Sequence, residues 1–128
     1  MTTPADATAA LRALLVEDDD DVGGAFAKAL EHAGFRVQRA RSGTEAIAML
    51  GSIGAVDAAV VDLVLPGAGG LEVVRHLREA HPHCRIVAVT GLDAPAIEAA
   101  FGAAGADAFL VKPVELAALL AAVRTPAA

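Results

Sequence analysis

Apolar and polar positions alternate along this chain in blocks of two kinds. LRALLV, Leu11 to Val16, is a short apolar run that stops at a string of acids. From Asp20 the period changes: Val22, Phe26, Ala29, Leu30 and Ala33 recur at helical spacing, and Gly34 closes the segment. FRVQRA, Phe35 to Ala40, reads as a second strand. Ser42 and Glu45 stand three apart, as in a capping box, ahead of a helix with Ala46, Ile47 and Leu50 on one face. Val56 to Val61 is a nearly continuous apolar run, the mark of a strand buried on both faces, and it ends at Asp62. After a Pro66-Gly67 turn, Gly70 to Ala80 reads as a helix with Leu71, Val74 and Leu77 inward. A fourth strand, Arg85 to Val89, ends at Thr90-Gly91. Asp93-Ala-Pro95 signals a helix start, and Ile97, Ala100, Phe101 and Ala104 share its face. Asp107 to Val111 is a fifth strand, ending at Lys112-Pro113. Leu116, Leu119, Leu120 and Val123 line a last helix, Glu115 to Arg124.

Strands and helices therefore alternate five times. That pattern predicts an α/β fold, a doubly wound parallel sheet with helices on both faces, in one domain from 11 to 124. Residues 1–10 read as a disordered N-terminal segment and 125–128 as a tail. In such a sheet every strand opens its C-terminal end on one edge, where ligands bind. The polar residues at those ends are Glu17 and Asp18, then Asp62, Thr90 and Lys112. Strand two ends in Arg41-Ser42 and offers nothing comparable.

Composition narrows the function. At 55% hydrophobic and 3% aromatic, the core is built from Ala, Val, Leu and Ile. A net charge of −6 argues against nucleic acid and anionic lipid, which call for Lys and Arg. No apolar run approaches the roughly 18 residues of a membrane helix. The N-terminus lacks the basic start and apolar core of a secretory signal, and one cysteine, Cys84, forms no internal disulfide, so a cytoplasmic protein is expected. His32, His76, His81 and His83 show no metal-ligand pairing, and Gly67, Gly69 and Gly70 make no phosphate loop.

The acids after strand one pose a separate question. In VEDDDDV, Val16 to Val22, five carboxylates follow one another. Alone, such a run is an ordinary solvated stretch, and Asp19, Asp20 and Asp21 suit a first helix turn, where carboxylates meet the positive end of the dipole. Glu17 and Asp18 sit differently, at the sheet edge shared with Asp62. Carboxylates so close stay ionised together only beside a cation, and an all-oxygen donor set suits Mg²⁺. With a lysine and a hydroxyl alongside, the cluster forms an electrostatic clamp for phosphoryl transfer, with Asp62 as an oxygen nucleophile.

The ordered set LLVEDD, VVDLVLPGAGGLE, VAVTG and FLVKPVE resembles the receiver domain of two-component response regulators over residues 11 to 124. The resemblance implies the flavodoxin-like strand order 2-1-3-4-5. It implies that Asp62 is the phosphoacceptor, that Asp18 touches Mg²⁺ directly and Glu17 through water, and that the backbone carbonyl of Val64 is a further ligand. Thr90 matches the switch hydroxyl, Lys112 the phosphate-binding lysine and Phe109 the switch aromatic, and Lys112–Pro113 is expected cis. The implied partners are a histidine kinase or histidine phosphotransfer protein, and a downstream protein on the face of the fourth helix, fifth strand and fifth helix. A phosphorylation-dependent homodimer stays open. Such a module is a switch rather than an enzyme, and the Met1 start weakly favours a stand-alone protein.

Four departures qualify the match, one being that Phe109 lacks the hydroxyl with which a Tyr could hydrogen-bond. Gly69 stands where the family's turn usually has Asp, Val114 where Phe is frequent, and Val64 and Leu92, beside the active centre, are both apolar. Apolar groups there cannot orient water, which predicts slow self-dephosphorylation. Two rivals are a small Mg²⁺-dependent phosphatase with an aspartyl nucleophile and a flavodoxin-like mononucleotide binder. The first lacks a second Asp at position 64; the second would meet repulsion from the five acids. The leading reading demands that Glu17, Asp18, Asp62, Thr90 and Lys112 meet in one pocket, with Asp62 open to solvent and near Lys112.

Overall fold

The computed structural model describes residues 11–67, 69–91 and 95–124. The expectations for 1–10, for Leu92 and Asp93, and for 125–128 lie outside them. Ten elements alternate along the chain: β1 Leu11–Val16, α1 Asp20–His32, β2 Phe35–Ala40, α2 Gly43–Met49, β3 Ala58–Asp62, α3 Gly70–Ala80, β4 Arg85–Thr90, α4 Pro95–Ala104, β5 Ala108–Val111 and α5 Leu116–Arg124. The strands form one parallel sheet in the order β2-β1-β3-β4-β5, as the resemblance implied.

Alternation along the strands builds two cores. Leu14, Val16, Ala59, Val61, Ile86 and Ala88 face α2, α3 and α4, where Ala46, Val73, Val74, Leu77 and Phe101 meet them. Ala13, Leu15, Ala58, Val60, Val87 and Val89 face α1 and α5, against Phe26, Leu30, Leu119 and Val123. Burial on both faces explains why β3 reads as an unbroken apolar run.

The local signals need four adjustments. On α3 the fully buried residues are Val73, Val74 and Leu77, and Leu71 packs only at the margin. β3 starts at Ala58 rather than Val56, because Asp57 turns its carboxylate back to the Arg12 N–H at 2.8 Å. β5 starts at Ala108, because the Asp107 carboxylate accepts from Ile86 N–H and from Arg78, both at 2.8 Å. The α2 cap is also rearranged. Ser42 Oγ accepts from Glu45 N–H at 3.0 Å as expected, but the Glu45 carboxylate accepts from Arg41 N–H at 2.6 Å, one residue before the cap.

Arg78 ties the far end of the sheet. Its guanidinium donates to the carbonyls of Gly105, Pro82 and Cys84 and pairs with Asp107, joining α3, the start of β4 and the loop before β5. Charge-assisted bonds of this kind are about twice as strong as neutral ones. Among the described residues, no helix is long and apolar enough to cross a membrane.

Candidate phosphoryl-acceptor site

β1 and β3 lie side by side, with Val16 in register with Val61. One residue past each, Glu17 and Asp62 therefore emerge together at the sheet's C-terminal edge. Glu17 N–H continues the pairing by donating to Ala40 at 3.1 Å. A carboxylate oxygen each from Glu17, Asp18 and Asp62 lie within 4.8 Å of one another. Glu17 is 1% exposed and Asp62 6%, while Asp18 is open to solvent. Asp62 is thus recessed rather than sealed, and the cluster opens on the Asp18 side.

Lys112 closes the arrangement from β5. Its backbone N–H donates to Thr90 at 2.7 Å, extending the strand pairing, and the Lys112–Pro113 bond is cis. Its ammonium reaches Glu17 Oε1 at 2.9 Å and Asp62 Oδ2 at 3.0 Å. The other Asp62 oxygen accepts from Val64 N–H at 3.2 Å. Glu17 Oε2 accepts from Asp19 N–H at 3.1 Å. Asp19 also caps α1 by accepting from Val22 N–H at 3.0 Å, and Asp20 pairs with Arg41 at 2.9 Å. The acidic run therefore divides as its sequence suggested.

Burial pushes the Glu17 carboxyl above the ordinary glutamate value, and Asp62 adds to the rise against the lowering by Lys112 and Asp19. Burial works against the Lys112 ammonium, but hydrogen bonds to Glu17 and Asp62 outweigh it and hold its pKa above the usual lysine value. Both shifts favour the proton-bound form, for different reasons: burial is the larger cause at Glu17, whereas at Lys112 the two carboxylate partners outweigh burial. A hard divalent cation is the ligand that such a donor set fits.

Thr90 ends β4, wholly buried, in register with Val111. Phe109 is half-buried on β5, its ring tilted 55° against Phe101 of α4 with centroids 6.2 Å apart. Val64 stands out from the surface at 65% exposure. The structure thus brings Glu17, Asp18, Asp62 and Lys112 into one cluster, and sets Thr90 at the end of the neighbouring strand and Phe109 further along β5. Sequence reasoning missed Gly70. A Cβ there would run into the Asp62 carbonyl, so only glycine lets α3 start so close to the end of β3. The pair Gly69-Gly70 was visible, but its reason is a tertiary contact.

Comparison with known proteins gives this geometry its context. The family model described as "Response regulator receiver domain" matches residues 13–124. The chain belongs to the response regulator receiver family. It is 40% identical over 103 residues to a cyclic di-GMP phosphodiesterase of Thermotoga maritima, covering 80% of this chain and 27% of that protein. It is 38% identical over 114 residues to response regulator MprA of Mycobacterium avium, covering 89% and 50%. The receiver spans half or less of these relatives' lengths. Among solved structures, a response regulator from Burkholderia pseudomallei superposes with a TM-score of 0.83 at 30% identity, covering 90% of this chain and 67% of that one. That structure carries a phosphorylated aspartic acid and a calcium ion.

Proposed function

We propose that this receiver is a phosphorylation-controlled signalling switch whose acceptor is Asp62. The observation that carries the reading is the cluster itself: two recessed carboxylates bridged by one ammonium, with a third carboxylate at the open side. The phosphorylated aspartic acid in the Burkholderia relative supports it.

A phosphohistidine of a kinase or phosphotransfer protein is the donor. An Asp62 oxygen gives up one of its present hydrogen bonds and attacks phosphorus. The P–N bond breaks, its electron pair returns to the imidazole, and the nitrogen takes up a proton. Lys112 turns its ammonium toward the transferring oxygens, and the Thr90 hydroxyl donates to one of them afterwards. Glu17, Asp18, Asp62 and the Val64 carbonyl would hold Mg²⁺, which when bound would supply positive charge against the incoming group. Thr90 and Phe109 then report occupancy to the face of α4, β5 and α5, where a downstream protein docks. This is a switch in the cytoplasm rather than a turnover enzyme. The phosphatase reading is weaker, since Val64 offers no acid-base group.

The test is acetyl phosphate with Mg²⁺, followed by intact mass. One stable phosphoryl adduct that maps to Asp62 and vanishes in Asp62→Asn is expected. Continuous phosphate release without an adduct would favour the phosphatase, and no adduct would overturn the switch.

A further inference from the structure

The family's turn after the acceptor strand usually carries an Asp at the position of Gly69, and here that residue precedes α3 as its N-cap with no side-chain hydrogen bond. Something else must fix the segment from Leu63 to Gly67, which includes Val64. Leu63 is tied down at both ends: its N–H donates to Val89 at 2.8 Å, and its carbonyl accepts from Gly70 at 3.2 Å. The next fixed point comes from a different element. The Pro66 carbonyl accepts from Gly43 N–H, the first residue of α2, at 3.1 Å. Gly67 follows with φ +73°, a conformation that L side chains rarely adopt. A Cβ at Gly67 would collide with Thr44 Oγ1 and come within 3.3 Å of Thr44 Cβ. Gly67 is therefore doubly required, by its own backbone and by contact with α2. The Ser42 and Glu45 bonds described above fix the start of α2 in turn.

We infer that the start of α2, acting through Gly43 and Thr44 on Pro66 and Gly67, sets the backbone that presents the Val64 carbonyl to a divalent cation. Thr44 and Gly67 are positioning residues: neither touches the cation. The inference rests on the reading of Glu17, Asp18, Asp62 and Val64 as its ligands. Groups that orient metal ligands typically contribute about 10- to 100-fold to affinity.

The experiment is Mg²⁺ titration by calorimetry of the whole chain and three variants, with amide exchange of β1 and β3 as the check on folding. Asn tolerates positive φ better than other side chains, so Gly67→Asn isolates the collision from the backbone requirement. Expected is wild-type binding, about ten-fold weaker binding in Gly67→Asn with core exchange protection intact, and recovery of most of the loss in Thr44→Ala/Gly67→Asn. A merely structural role would lower protection without moving affinity. If Gly67→Asn does not fold, Thr44→Leu presses on the same contact from α2 and should weaken Mg²⁺ equally. Wild-type binding with unchanged affinity in Gly67→Asn, or no recovery in the double variant, overturns the brace alone. Absence of wild-type binding overturns the metal-site reading beneath it.

Discussion

Replacing Asp18 by Asn should stabilise the metal-free protein and remove its response to Mg²⁺. Asp18 sits within 4.8 Å of oxygens of both Glu17 and Asp62. At that separation a pair of like charges repels by about 0.9 kcal/mol in bulk water and about 3.5 kcal/mol at an effective dielectric of about 20. Asp18 faces two such charges, and the Lys112 ammonium between them offsets roughly one. The residue is exposed, so the net penalty belongs at the lower end. Neutralising it should add about 1–2 kcal/mol, a rise in Tm of roughly 3–8 °C. The chain has no Trp or Tyr, so urea and thermal unfolding should be followed by far-UV circular dichroism in EDTA. The gain should shrink at high salt. With Mg²⁺ at 100 times its Kd, the wild type should gain about 2.7 kcal/mol and the variant almost none. Destabilisation of Asp18→Asn in EDTA, or equal stabilisation of both proteins by Mg²⁺, would refute the electrostatic account of the pocket.

Other consequences are checked as directly. Burial pushes the Cys84 thiol from its ordinary 9.0 up to about 12. Native protein at pH 8 should therefore leave a thiol reagent unreacted until denaturant is added. The sign for stability follows: the unfolded thiol ionises first, so Cys84's contribution is complete below pH 9 and gone by about pH 12, which alkaline unfolding of a Cys84→Ala control would isolate. Arg78→Met should cost about 2–4 kcal/mol in urea unfolding, because it strips a charged partner from Asp107 and leaves four backbone acceptor contacts unmade. Phosphorylated wild type should keep its label for minutes or longer, and Val64→Glu should shorten that lifetime; complete loss from the wild type within seconds would contradict the argument that an apolar Val64 cannot orient water.

Much of the fold could be read from the chain because local and global signals agree. The unbroken apolar run in β3, the helical spacing from Asp20 and the strand ends at Asp62, Thr90 and Lys112 are all local features with a single consistent outcome. The candidate cluster was legible for the same reason: parallel strands bring their C-terminal ends to one edge. What stayed hidden depends on the distance between chain-remote atoms. The role of Gly70 is set by the Asp62 carbonyl, and that of Gly67 by a threonine more than twenty positions earlier. The Glu45 bond to Arg41 slipped one residue from the expected cap partner for a similar reason, since tertiary placement of the β2–α2 turn decides which amide is nearest.

The helix α4 is attached unlike its neighbours. Of its ten residues only Phe101 is buried, whereas α3 and α1 each sink several. That ring rests against Phe109. Ile97 and Ala104 add only partly buried contacts, so the helix hangs chiefly on one ring, whose neighbour sits on β5 three residues before Lys112. A shift of β5 at Phe109 would therefore be felt by α4 directly, through that pair of rings.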